Sequence, residues 1–469
     1  MISSRPLLIF IGLAALSMTT VFAHPLIEAR ALPPALDPFY RAPAGFESAA
    51  PGTIVRQRTV QTAFLGLIAK PVEAYQLLYR TTAIDGSAIA TVTTIFKPSD
   101  SKTDRFVSFQ TAYDSSARIC NPSYNYRLGS VQVDLISSFE QVLLQTYLLE
   151  GYIVASSDYE GPDAAFGAGR LAGMGVLDGM RAVSNFYETL GLDNDTPMIV
   201  GTGYSGGGIA TGWAASLHPT YASELNVRGW SSGGTPANVT GTAVFVDDTT
   251  FSGFLPAAFA GLSKDSSYGA LLDPVIARLA TPYGKAQIAA ASVNCAPADL
   301  LNFALMSVQD KSFQRLGDQI FYEPTVAAIL EDNLMGRNAN ETPTAPVLLY
   351  HASRDEIIPY SNATTLYDTW CRNGADVHFT TFGNGGHLTT EILGLPMAVQ
   401  FANSAFAGTL SSGCSKDTVL DDTLDPLALG ASLEPALVRL INALGTLGEA
   451  DEHLMGNLGL IKVPAAKGN

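Results

Sequence analysis

Gly203, Tyr204, Ser205, Gly206 and Gly207 set a serine between glycines in the pattern G-x-S-x-G. In a strand-to-helix turn this pattern lifts the hydroxyl above a sheet, because the glycines relieve crowding that a Cβ would cause. A short pattern in a chain with 43 glycines carries weight only through its flanks. Residues 198–200 read as a buried strand, 201–203 as a turn, and 209–217 as a helix ended by His218 and Pro219. That context favours a nucleophilic serine over a glycine turn with an idle hydroxyl.

A serine nucleophile needs a base and an acid, in the chain order serine, acid, histidine for this kind of elbow. Of the six histidines, His24 and His453 fall near the two ends, His218 and His351 precede every acid candidate, and His378 sits inside an apparent strand at 377–382. His387 remains, in a loop with Gly383, Asn384, Gly385 and Gly386. Asp355 follows the apolar run 347–350 and is the candidate acid, with Glu356 the runner-up and Asp368 and Asp376 read as solvated. The oxyanion of an acyl-transfer intermediate needs two donors. The amide of Gly206 is one, and the second is expected from the loop that begins near Asp114 and Ser115. Either the backbone amide of Asp114 donates, or its carboxyl stays protonated in a dry site.

The elements that must position these residues alternate in type. Apolar runs at 106–109, 151–155, 198–200 and 347–350 each end in polar or glycine-rich loops, and helical patterns separate them. Such runs imply a mostly parallel sheet with helices on both faces, an α/β fold with its chemistry beyond the carboxyl ends of the strands. The 150 positions from Ser205 to Asp355 exceed what one or two βαβ units of about 30 residues need. An apolar helical stretch at 245–335 fills the gap and reads as a cap that would bind acyl chains.

Composition narrows the partners. Forty-three acidic against 27 basic residues give a net charge of −16, which disfavours nucleic acid and anionic surfaces. Arg5 ahead of the apolar run 7–16, with Val21, Phe22 and Ala23 at the reading positions of a signal peptidase, predicts an export segment at 1–23 and a secreted protein. Sequons at Asn194, Asn238, Asn340 and Asn362 agree with that compartment. So do Cys120, Cys295, Cys371 and Cys414, which suggest two disulfides in one of three pairings. The proposed chemistry requires neither metal nor organic cofactor.

The segment Ser156 to Gly161 (SSDYEG), MGVLDGMR at 174–181, the elbow GYSGG, the loop SRDEIIP at 353–359 and the glycine-flanked His387 together resemble the fungal secretory lipase family. The resemblance runs from about Asp37 to Cys414. It implies an α/β-hydrolase core, a Ser205, Asp355 and His387 triad, an oxyanion hole of Asp114 and Gly206, and the pairing Cys120–Cys295 with Cys371–Cys414. It divides the chain into a core at 24–235, a helical cap or lid at 236–340, a second core segment at 341–414 and an extension at 415–469. After Cys414 the chain departs from the family pattern, and residues 437–447 form an amphipathic segment. The expected activity is that of a secreted triacylglycerol lipase, monomeric and in transient contact with a lipid–water interface. A carboxylesterase or deacetylase of a small metabolite would share every catalytic residue. A hydrolase fold retained only for binding is the remaining alternative.

Overall fold

The computed structural model describes residues 30–64, 68–69 and 72–420. The export segment 1–23, His24, His453 and the amphipathic pattern at 437–447 lie outside the described residues.

Ten strands form one sheet: β1 (Ile54–Thr59), β2 (Glu73–Thr82), β3 (Ala88–Lys97), β4 (Arg105–Gln110), β5 (Ile153–Ser157), β6 (Met198–Tyr204), β7 (Val227–Gly233), β8 (Val347–Ala352), β9 (Val377–Phe382) and β10 (Ser415–Val419). Their order is β1-β2-β3-β5-β4-β6-β7-β8-β9-β10. The first three and β5 pair antiparallel, and from β5 onward every pairing is parallel. Parallel strands need both faces covered, and β5 and β8 are buried at every position.

Successive side chains leave a strand on opposite faces, so adjacent residues serve different cores. Phe106, Ile153 and Ile199 join one cluster, while their neighbours Val107, Val154 and Val200 join the other. The second cluster is closed by α1 (Leu135–Leu149). Across the sheet lie α2 (Gly169–Asn185) and α3 (Gly206–Tyr221), whose Val176, Met180 and fully buried Trp213 belong to the first. The helix after the elbow therefore runs past Pro219, where the sequence suggested a stop. A proline so near the end removes one backbone donor, and Ala222 N still reaches His218 O at 3.1 Å.

Between β7 and β8 the chain builds six α-helices: α4 (Val239–Val246), α5 (Phe254–Leu262), α6 (Gly269–Leu279), α7 (Pro282–Ala291), α8 (Ala296–Asn302) and α9 (Pro324–Asp332). They share a core of their own, with Phe251, Leu255, Leu272, Phe313 and Ile329, and this rests on Ala165, Phe166 and Leu171 of the main body. The entry and exit of this layer hold one another: Asn238 bridges Leu334, and Met335 N donates to Ala237 O at 3.0 Å. A disulfide from Cys120 to Cys295 joins the layer to the segment after β4, across 175 positions of sequence.

After β8 come α10 (Tyr360–Arg372) and α11 (His387–Ala407). α11 lies with α1 on the sheet face opposite α2 and α3. The second disulfide, Cys371–Cys414, ties the end of α10 to the start of β10. Residues 415–419, assigned by the sequence reading to an extension beyond the core, are the last strand of the sheet, parallel to β9. Its residues, SKDTV, are the mostly polar ones of a largely exposed edge, which carries no apolar run to betray it.

The Asn362 sequon is also corrected. Asn362 is 5% exposed, and its Nδ2 donates to Asn238 O at 3.2 Å and Thr242 Oγ1 at 2.9 Å. A glycan on that nitrogen would displace both buried contacts. Asn194 and Asn340 are exposed and Asn238 is half-buried.

Candidate active site

Four strand ends in the parallel part of the sheet bring the chemistry together. Ser205 directly follows β6, Asp114 lies four residues beyond β4, Asp355 three beyond β8, and His387 five beyond β9. All are at carboxyl ends, as a parallel sheet requires of its site.

Ser205 has φ 54° and ψ −119°, a conformation that costs a non-glycine residue on the order of 1–3 kcal/mol. The cost is carried by a tight weave: Ser205 N donates to Gly233 O at 3.0 Å, and Ile209 N returns to Ser205 O at 3.0 Å. Close approach explains the glycines. A Cβ on Gly207 would stand 1.9 Å from Gln110 O, and one on Gly206 would stand 1.6 Å from Asp114 Oδ1.

His387 is the first residue of α11, not a loop residue as its glycine surroundings suggested; the glycines form the turn that starts the helix. Its Nδ1–H donates to Asp355 Oδ2 at 2.7 Å, which leaves the Nε2 lone pair unprotonated in the neutral ring. Among the described residues Nε2 has no hydrogen-bond partner. Open contacts of this kind tighten when substrate arrives.

Asp355 is fully buried and amply satisfied. Oδ1 accepts from Ile357 N at 2.9 Å and Ile358 N at 2.7 Å. His351 Nε2 lies 3.3 Å from Oδ2 and 3.0 Å from Ile358 O. Burial opposes ionisation of Asp355, but His387, His351 and the Ile358 amide outweigh it and hold the carboxyl below the ordinary range. Burial also lowers His351, which stays neutral. Burial disfavours a charged His387 too, yet Asp355, Glu356 and Glu391 raise it to about 9.

Asp114 differs. Burial pushes its carboxyl up to about 7, with His387 opposing and Glu391 assisting. Among the described residues its Oδ1 has no hydrogen-bond partner, and it stands against Gly206. Its backbone is left-handed at φ 43°.

Above Ser205, Gly206 and Asp114 opens a cavity of about 120 Å³. Its walls are apolar and come mostly from the inserted layer, among them Val239 and Val246 of α4, Leu255 and Ala258 of α5, Leu272 of α6 and Ile329 of α9.

Of the sequence-derived residues, Ser205, Gly206 and Asp114 share the floor of that cavity, and His387, hydrogen-bonded to Asp355, packs against Tyr204, the residue before Ser205. His378 lies in β9, 2.7 Å from Ser415 Oγ of the edge strand, and His218 packs on Trp230. Three contacts of these residues escaped sequence reasoning. Tyr204 donates from its hydroxyl to His387 O at 2.7 Å. Glu356, the runner-up acid, accepts from His387 N at 2.9 Å. His351 Nε2 lies 3.3 Å from Asp355 Oδ2, a contact whose signal in the sequence is the four-residue spacing between them.

A mostly parallel sheet of this order, helices on both faces and a strained serine elbow at its middle define the α/β-hydrolase class. The sequence model of the family described as Secretory lipase matches residues 127–413. A secreted triacylglycerol lipase of Malassezia furfur is 39% identical over 93% of this chain and 93% of its own length. One from Malassezia globosa is 38% identical over 95% and 98%. Among solved structures, Candida antarctica lipase A in its closed state superposes with a TM-score of 0.79 at 31% identity, covering 88% of this chain and 96% of that one. The chain belongs to the secretory lipase family, and it is a secreted carboxylic ester hydrolase.

Proposed function

We propose that the protein is a triacylglycerol lipase that works through an acyl-enzyme on Ser205. The observation that carries the substrate class is the apolar cavity with Ser205, Gly206 and Asp114 at its floor, shaped to take an acyl chain and present its ester carbonyl to the serine. In this reading His387 Nε2 takes the Ser205 proton as Oγ attacks the carbonyl, and Asp355 holds the ring and stabilises its charge. The oxyanion is received by the Gly206 amide and by the protonated carboxyl of Asp114. The unpartnered Oδ1 and its raised proton affinity support the side chain over the backbone as second donor. The alcohol leaves with the proton from His387, and water repeats the sequence on the acyl-enzyme.

The same reading makes residues 236–340 a cap over the site, the protein a monomer in transient contact with a lipid–water interface, and Asn194, Asn238 and Asn340 the glycan acceptors. Exposed Val244 and Phe245 on the outer side of α4, whose inner residues line the cavity, support the interfacial contact. Hydrolysis of acylglycerols from acetyl to long-chain, measured below and above the solubility limit, tests the substrate. Rates that rise with chain length and on emulsions support a lipase; a preference for acetyl esters with no response to an oil interface would rule it out. Labelling by a fluorophosphonate tests the nucleophile: it should mark the wild type and spare Ser205→Ala.

A further inference from the structure

Behind the oxyanion loop two carboxyl groups that the mechanism leaves unused face one another. Glu140 belongs to α1 and Glu391 to α11; they are 1% and 8% exposed. The two side chains hydrogen-bond each other. Glu140 Oε1 also accepts from Ala112 N at 3.4 Å, two residues before Asp114. Glu391 lies one helical turn beyond His387, the spacing that puts both on one side of α11. A continuous path therefore runs from the oxyanion loop through Glu140 and Glu391 to the helix that starts with the histidine.

We propose that Glu140 and Glu391 form an acid pair sharing one proton, which clamps the oxyanion loop to the histidine helix and supplies the single negative charge felt by Asp114 and His387. They are positioning residues, and the proposal rests on the roles given above to Asp114 and His387.

Chemistry forces the proton. A carboxyl group can donate to another only when protonated, and two carboxylates in a dry site cannot both ionise. Both members of the pair are raised, by burial first. The groups around them offer little compensation. Asp114 faces the pair from the oxyanion loop, and Asp134 and Glu160 are coupled to Asp114 from the start of α1 and the segment after β5. Tyr126, after β4, contributes only a phenol, as do Tyr147 of α1, Tyr159, Tyr204 of β6 and Tyr350 of β8. On the acid-loop side Glu356 acts on His387. The cation that acts on Glu391 is His387 itself. The shared charge favours the imidazolium formed during attack and opposes ionisation of Asp114.

Replacing one member by glutamine lets the other ionise, so the charge survives on the remaining carboxylate. Replacing both removes it. In Glu140→Gln with Glu391→Gln, both limbs of the pH profile of kcat/KM on a soluble ester should move to lower pH by about 1 unit, the size expected when a nearby charge is lost. Glu391→Leu, which breaks the clamp, should lower kcat while KM holds, and Glu391→Gln should restore kcat. A double variant whose profile superimposes on the wild type overturns the proposal, because a purely structural pair would change stability and leave the limbs in place. Should the double variant fail to fold, infrared spectra of the inactive Ser205→Ala protein with and without Glu391→Gln decide: the substitution should remove one buried carboxylic-acid band at pH 7, and an unchanged band overturns the pair. Fluorophosphonate labelling of the wild type separates the two failures, since an unlabelled wild type sinks the triad reading, whereas a labelled one with unmoved limbs sinks the pair alone.

Discussion

Tyr204 holds His387 from the position next to Ser205: its hydroxyl donates to the His387 carbonyl at 2.7 Å, and its ring centroid lies 4.9 Å from the imidazole. The elbow strand and the histidine helix are thereby joined beside Ser205. Tyr350 stands behind at 5.6 Å and keeps the tyrosine ring in place. Loss of the hydroxyl removes a buried bond of about 1 kcal/mol. Tyr204→Phe should lower kcat roughly threefold to tenfold at constant KM, a misplacement effect of modest size. Steady-state kinetics on a soluble ester checks this, and a change confined to KM would assign Tyr204 to substrate binding instead.

Asp114 offers a sharper test because its two modes of donation respond differently to substitution. Asp114→Asn retains a side-chain donor that does not titrate, so the alkaline limb of kcat that follows Asp114 ionisation should vanish while activity near pH 6 persists. Asp114→Leu removes the donor and should cost roughly 100- to 1000-fold in kcat. Persistence of the alkaline limb in the asparagine variant would transfer the role to the backbone amide.

Acyl-chain choice should respond to volume in the cavity, not to the triad. Ala258 lies on α5 in the wall of the 120 Å³ space. Ala258→Phe adds a ring there and should reduce kcat/KM for long acyl chains at least tenfold, with acetyl and butyryl esters within about twofold. This corresponds to the ~1.4 kcal/mol or more expected from losing a few buried methylenes. A uniform loss across the chain-length series would show that acyl chains lie elsewhere.

Stability should fall as pH rises through neutrality. Burial raises the carboxyls of Asp114, Asp134 and Asp158 to about 7. Between the unfolded value of about 3.9 and that folded value the native state binds more protons than the unfolded chain, so stability is full below about pH 4 on these groups' account and is lost as pH climbs through 7. At the low end Asp355, whose folded pKa is depressed, acts in the opposite sense. Calorimetry should therefore find Tm lower at pH 8 than at pH 5 by at least about 3 °C. A higher Tm at pH 8 would mean that these carboxyls are ionised in the folded protein.

Much of the site was legible because the fold places its chemistry by rule. Gly203 to Gly207 specify an elbow through sterics alone, and chain order then singles out Asp355 and His387. The two faces of the sheet followed from apolar runs, whereas the last strand, Ser415–Val419, did not: an exposed edge needs no apolar face, so it leaves no pattern. The Asn362 sequon misled for a related reason. A three-residue pattern carries no record of burial, and only packing put Asn362 beneath Asn238 and Thr242.

The sequence by itself determined Ser205 as the nucleophile candidate, its partners, the α/β class and the insertion, since these depend on local sterics, periodicity and order along the chain. Tertiary structure alone decided what surrounds them. The tie from Tyr204 to His387, the placement of His351 on Asp355, the carboxyl pair Glu140 and Glu391, and the apolar space above Ser205 join residues from 4 to 251 positions apart. Proton affinity and cavity shape arise from what is packed around a group, and a chain read in order does not say which of its distant parts will exclude water from the same place.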